Sequence, residues 1–151
     1  MGHTVNSIFI KAPYSLVYDV SNHIERWTEL FGDEYVSAEV LSRVGNEITF
    51  RLTDDEGKSW VSKRWLYKDL KFAYASRHEP MFPFQYMKII WLYHETPEGT
   101  LMTWIQDFTM DASAKFKDEQ VEGFINEHSR HNLKIFKSVI EKEANEVVGR
   151  K

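Results

Sequence analysis

From Tyr35 to Met110 the chain runs in short stretches of alternating apolar and polar residues, and after Met110 the period lengthens to that of a helix. Turn chemistry separates the stretches: Gly45-Asn46, Asp54-Asp55-Glu56-Gly57, Asp69-Leu70, Glu79-Pro80 with Pro83, and Pro97-Glu98-Gly99. The spacing predicts consecutive antiparallel hairpins with strands over about 35–43, 47–53, 58–68, 71–79, 85–95 and 100–110. A further strand over Thr4 to Ile10 precedes them and ends at Pro13, which suits a helix start. Leu16, Val17 and Val20 form one face of a short helix, and Asn22 can cap a second that runs through Ile24, Trp27 and Leu30 to Phe31.

Val121, Phe124, Ile125, His128, Asn132, Ile135, Phe136 and Val139 recur at helical spacing and predict one helix from about Lys117 to Asn145. Such a helix spans roughly 40 Å at 1.5 Å per residue and overhangs any small flat sheet. The sheet must therefore curl around it. The expectation is one α+β domain over residues 1–151: a seven-stranded curved antiparallel sheet wrapped around a long C-terminal helix, with two short helices after strand one.

Composition narrows the function classes. The 151 residues contain no cysteine, which excludes disulfides, thiol catalysis and thiolate metal sites and points to a cytoplasmic setting. A net charge of −4 argues against a nucleic-acid face, and no apolar stretch approaches the ~20 residues that cross a bilayer. Aromatic residues reach 15%, with five Trp. A core of large side chains and a lined cavity both explain that excess.

Alternation assigns faces. On strand 58–68, Trp60, Ser62, Arg64 and Leu66 share one side; Gln85, Met87, Ile89, Trp91 and Tyr93 share one side of the next long strand. Met102, Trp104, Gln106, Phe108 and Met110 do so on the last, which leaves Asp107 on its outer face. These sets are bulky and apolar, yet each holds a polar member. Either the faces point to water, leaving four Trp and Met positions exposed, or they line a cavity dotted with polar groups. The second reading is preferred. His128 and Asn132 lie near the centre of the helix stripe and would face the concave sheet, His128 as a satisfied core histidine or as a proton-transfer group. His3, His23, His78, His94 and His131 show no ligand-like spacing, and neither a metal nor a cofactor is implied.

Taken together, Trp27-x-x-x-Phe31, Glu34-Tyr35, Trp60-Val61-Ser62-Lys63-Arg64, Phe84-Gln85-Tyr86-Met87, Trp91-x-Tyr93 and Trp104-Ile105-Gln106-Asp107-Phe108 resemble the single-domain aromatic polyketide aromatase/cyclases. These are helix-grip proteins of the START superfamily, and the likeness to spore-pigment and tetracenomycin type cyclases extends over residues 3–144. The resemblance implies an enzyme that folds a linear poly-β-ketone, carried on an acyl carrier protein by a phosphopantetheine arm, and promotes first-ring aldol closure and dehydration. It implies that Arg64 stabilises a developing enolate or alkoxide, and that Tyr35 and Ser62 donate hydrogen bonds or relay a proton. His128, where the family is expected to carry Asn, is a candidate base or acid from its stripe position alone. Trp27, Phe31, Trp60, Gln85, Met87, Trp91, Trp104, Gln106, Phe108, Phe124 and Asn132 would line the substrate channel. A monomer or weak dimer is expected. Two other readings stay open: a non-catalytic carrier of a lipid or quinone, and a ligand-sensing domain that reports occupancy to a protein partner.

Overall fold

A computed structural model describes residues 1–149. The chain forms β1 (Gly2–Ile10), α1 (Tyr14–Ser21), a 3-10 turn at Ile24–Arg26, and α2 (Trp27–Leu30). There follow β2 (Tyr35–Val44), β3 (Glu47–Asp54), β4 (Ser59–Tyr67), β5 (Phe72–Glu79), β6 (Phe84–Thr96), β7 (Gly99–Met110) and α3 (Asp118–Gly149). The seven strands make one antiparallel sheet in the order β1-β7-β6-β5-β4-β3-β2, so every hairpin pairs with its sequence neighbour and β1 closes on β7. Register shifts at Tyr35/Ser37, Val40/Ser42, Val61/Ser62 and Phe84/Tyr86 break the ladder. Each inserts an extra residue and bends its strand, which lets the sheet curl around α3.

The stretch after α1 departs from expectation. Asn22 ends α1 and does not N-cap the next helix; its carboxamide turns inward and donates to the Tyr18 carbonyl at 2.8 Å and to the Tyr93 hydroxyl at 3.0 Å. The segment that follows begins as a 3-10 turn without a side-chain cap. Only one turn of α-helix, α2, completes it.

The core lies between the concave sheet and α3. Leu133, Phe136 and Ile140 are fully buried on the helix and meet Phe31, Trp91 and Trp104. Phe136 sets its ring edge-on to all three, at 5.0, 5.7 and 5.1 Å. A perpendicular ring directs its positive edge into its neighbours' negative faces. The buried arc of α3 centres on Phe136 and includes Ser129, Leu133 and Ile140, which shifts it away from Phe124. At 3.6 residues per turn, Phe124 lies about 120° around the axis from Phe136 and His128 about 80°. Phe124 is accordingly 44% exposed and packs on Phe116 at 5.2 Å. No helix among the described residues is long and apolar enough to cross a membrane.

Because Phe136 is the hinge of this aromatic packing, Phe136→Ala is expected to cost about 3–5 kcal/mol of unfolding free energy. Urea denaturation followed by tryptophan fluorescence measures it.

Candidate active site

The curled sheet does not close completely on α3, and a cavity of about 250 Å³ remains. Its existence follows from side-chain size. On β5, Ala73 and Ala75 face inward, opposite Trp91 and Ile89 of β6, and Ala75 also pairs with Arg64 of β4. Ser62 adds one more small wall position. A Val or Leu at these places would fill the space. Trp27, Phe31, Trp60, Trp91 and Trp104 supply the aromatic walls, with Trp91 and Trp104 stacked at 4.4 Å and 10°.

Arg64 lies at the closed end and is 1% exposed. Its Nε donates to Asn22 Oδ1 at 2.8 Å, and its guanidinium carbon sits 4.1 Å from the Trp91 ring centroid and 5.4 Å from that of Trp27. Asn22 is held in turn by Tyr18 and Tyr93, and the Tyr93 hydroxyl bonds Ser21 Oγ at 2.8 Å. No carboxylate pairs with the guanidinium among the described residues. Its Nη2 is buried without a partner, as is Trp104 Nε1. Burial lowers the Arg64 pKa to about 10, against an opposing pull from Tyr93 and Tyr18. At neutral pH it remains a cation. A guanidinium stacked on an indole and bonded to one amide oxygen keeps an unused donor for an incoming anionic oxygen.

Tyr35, Ser62, Arg64 and His128 all line the cavity, as do Trp27, Phe31, Trp60, Met87, Trp91, Trp104, Gln106 and Asn132. Burial raises the Tyr35 hydroxyl well above its ordinary value, so it is a donor and not a base. His128 stands on the rim with its side chain exposed, at the edge of the buried arc and not at its centre.

Three of the expected lining residues lie elsewhere. The register shift between Phe84 and Tyr86 puts Phe84 and Met87 on the inner face together and leaves Gln85 in solvent. Phe108 is fully buried below the wall, edge-on to Phe84 at 5.9 Å in a small cluster with Met87, Met110, Ala114 and Val121. It supports the lining without forming it. Phe124 faces outward for the rotational reason given above.

Two charged wall residues were not anticipated. Arg77 follows Ala73 and Ala75 on the inner face of β5, a period-2 signal present in the sequence. Its guanidinium donates to the Pro80 and Phe82 carbonyls at 2.8 and 3.0 Å and lies over the Trp60 ring at 4.7 Å. Burial lowers its pKa. Glu34 belongs to the turn between α2 and β2, where Gly32 takes a φ of 63° and runs close to Ile135. A side chain at Gly32 would strain that backbone and crowd α3. The turn brings Glu34 Oε2 to within 2.8 Å of Asn132 Nδ2, a donor 98 residues away. Burial raises the Glu34 pKa, while the Asn132 bond and the charges of His128 and His131 oppose the rise. Glu34-Tyr35 forms part of the family resemblance, but no periodicity places Glu34 on the wall. Among the described residues, no group of three His, Cys, Asp or Glu is placed to hold a metal ion.

A family described as "Polyketide cyclase / dehydrase and lipid transport" matches residues 10–137. A protein of Streptomyces cyaneus named "Putative polyketide cyclase" is 46% identical over 145 residues, 93% of this chain and 94% of that protein. One of the same name from Streptomyces halstedii is 50% identical over 109 residues, 69% of this chain and 98% of that protein. Among solved structures, the Zhui aromatase/cyclase from Streptomyces sp. R1128 superposes with a TM-score of 0.78 at 18% identity, covering 97% of this chain and 94% of that one. A START superfamily protein from Mycobacterium smegmatis gives 0.75 at 14% identity, covering 94% and 99%. At such identities the two structures speak for the fold alone.

The closed end and the rim each yield a stability prediction. Asn22→Ala leaves the buried Arg64 Nε without its acceptor and is expected to cost about 1.5–3 kcal/mol, measured by urea unfolding at pH 7. For Glu34, a folded pKa above the ordinary 4.5 means that the protonated form favours the fold. Its contribution is complete below that ordinary value and is lost as pH rises through the folded value, with a slope of at most about 1.4 kcal/mol per pH unit. Glu34→Gln retains an acceptor for Asn132 and should flatten this decline, which urea titrations between pH 4.5 and 7.5 would display.

Proposed function

This chain belongs to the polyketide cyclase / dehydrase and lipid-transport family, and from that membership we propose that it is an aromatase/cyclase acting on a linear poly-β-ketone. The chain would be delivered by an acyl carrier protein through a phosphopantetheine arm that enters past the rim beside His128. Within the cavity, first-ring aldol closure and dehydration would follow. The observation that carries this reading is the buried cation without a counter-ion. A pocket that only carries a lipid or quinone gains nothing from an unpaired guanidinium, because taking such a charge out of water is costly. An enolate or alkoxide developing beside Arg64 repays that cost in the transition state, where a preorganised donor in a dry site is most effective.

The remaining walls have consistent roles. Trp27, Trp91 and Trp104 offer flat faces against which a forming ring can stack. Holding the ketide in a bent conformation brings one methylene against one carbonyl and removes orientational entropy from the closure. The Tyr35 hydroxyl, protonated at neutral pH, would donate to a carbonyl oxygen, and Ser62 would do so one step nearer to Arg64. Arg77 supplies a second cation on the opposite side of Trp60 and would hold another carbonyl or the thioester end.

The test is to add the protein to a minimal polyketide synthase and compare product profiles with and without Arg64→Ala. The wild-type protein should direct one first-ring pattern, and the variant should return the spontaneous mixture with a loss of roughly 10²–10³-fold in directed closure. A mixture unchanged by the wild-type protein rejects the cyclase reading.

A further inference from the structure

Ring closure requires a group that takes a proton from a carbon lying between two carbonyls. Arg64 and Arg77 remain protonated at neutral pH, and the Tyr35 hydroxyl is held protonated by burial. Among the described residues of the cavity wall, Glu34 is the one carboxylate and His128 the one imidazole. Their placements differ. His128 stands in water at the rim, whereas Glu34 is partly buried and anchored through Oε2 by Asn132, itself 5% exposed. Its second oxygen, Oε1, accepts no hydrogen bond from any described residue, and no ion pair engages the carboxylate. A carboxylate fixed by one oxygen and without a hydrogen-bond partner at the other, on the wall of an aromatic-lined pocket, has the geometry of a positioned base.

We propose that Glu34 is a catalytic residue of this cavity, the general base that initiates closure and the acid that completes it, an assignment that rests on the cyclase reading above. In the closure step Glu34 takes the methylene proton, and the C–H electron pair passes into an enolate whose oxygen is met by a guanidinium. The enolate carbon forms the new C–C bond to a second carbonyl carbon, and the resulting alkoxide takes the proton back from Glu34 to become a hydroxyl. In the dehydration step Glu34 removes a second proton from the same carbon, and the C–O bond to the hydroxyl breaks. The departing hydroxide takes up that proton, so one water leaves, one C=C forms, and the carboxylate is restored.

The charges around Glu34 fit this task. The charges of His128 and His131 of α3 act on it, and its own charge acts on Tyr35 of β2, which Arg77 and Asp54 also influence. Burial outweighs the histidines and moves the carboxyl upward, toward the range in which a base works best near neutrality.

The experiment follows deuterium incorporation by NMR into the methylene of acetoacetyl N-acetylcysteamine thioester in buffered D2O at pH 7. Wild-type protein should accelerate exchange above buffer, and Glu34→Gln should lower that catalysed rate by about 10²-fold or more, while Glu127→Gln, at an exposed position of α3 outside the cavity lining, leaves it unchanged. Quenching of tryptophan fluorescence by the same thioester should change by less than about twofold in the Gln variant, since that change removes a base and not the walls. Should Glu34→Gln prove unstable, Glu34→Asp keeps the charge but draws the carboxylate back by one methylene, and at least about a tenfold loss is expected from the misplacement. Exchange by the Glu34 variants at the wild-type rate, or a wild-type protein no faster than buffer, overturns the assignment. Catalysed exchange that depends on Glu34 without any directed ring product in the synthase assay leaves the base in place and instead rejects the cyclase reading.

Discussion

The guanidinium of Arg64 is taken out of water without a carboxylate to balance it, and much of the surrounding structure answers to that constraint. Transferring an unpaired ion into a protein interior costs several kcal/mol even after relaxation. Here the compensation is indirect: the face of Trp91, the amide oxygen of Asn22, and the dipoles of Tyr93 and Tyr18. Asn22 can serve only because its own donors are spent on the Tyr18 carbonyl and the Tyr93 hydroxyl, which fixes its orientation. The same demand explains the irregular path after α1. An asparagine that turns inward to hold an arginine cannot cap the next helix, and the chain passes through a 3-10 turn before α2.

Around that buried charge, side-chain volume is distributed unevenly. Large rings crowd the contact between sheet and α3, where Phe136 meets Phe31, Trp91 and Trp104. Small residues on β4 and β5 hold open the space between Arg64 and the rim. Close packing is thus relaxed along this cavity, where ligand atoms would complete it. The register shifts that bend the sheet also re-aim side chains at the cavity, as at Phe84 and Met87.

The cavity is polarised from end to end. At the closed end stands a cation with a buried, unpartnered N–H; elsewhere on the wall are a partly buried carboxylate and an exposed imidazole. A helix-grip fold without this polarity could bind almost any apolar molecule, and the fold alone does not decide among carriers, sensors and enzymes. The polarity, together with family membership, favours chemistry that builds negative charge on oxygen at one end and moves protons at the other.

Much of this was legible in the sequence. The six hairpin strands, β1 and the long helix follow from turn residues and one change of period, and alternation along β4 put Ser62 and Arg64 on the same inner face as Trp60. Local pattern settles which residues share a face, because that depends only on strand and helix geometry. It does not settle how the element is rotated against its neighbours or where a bulge adds a residue. Phe124 left the cavity and His128 moved to its edge because Leu133, Phe136 and Ile140, packing against the sheet, fixed the rotation of α3. Gln85 gave way to Phe84 at a bulge, and Phe108 fell beneath the wall. Arg77 carried a readable signal, since it alternates with Ala73 and Ala75. Glu34 carried no periodic signal beyond its pairing with Tyr35 in the family resemblance: its place on the wall depends on a glycine turn packed against α3 and on a hydrogen bond to Asn132 across 98 residues of chain. Sequence periodicity determined the sheet, the helix and the buried arginine, whereas only tertiary contact between distant segments decided which charges share the cavity with it.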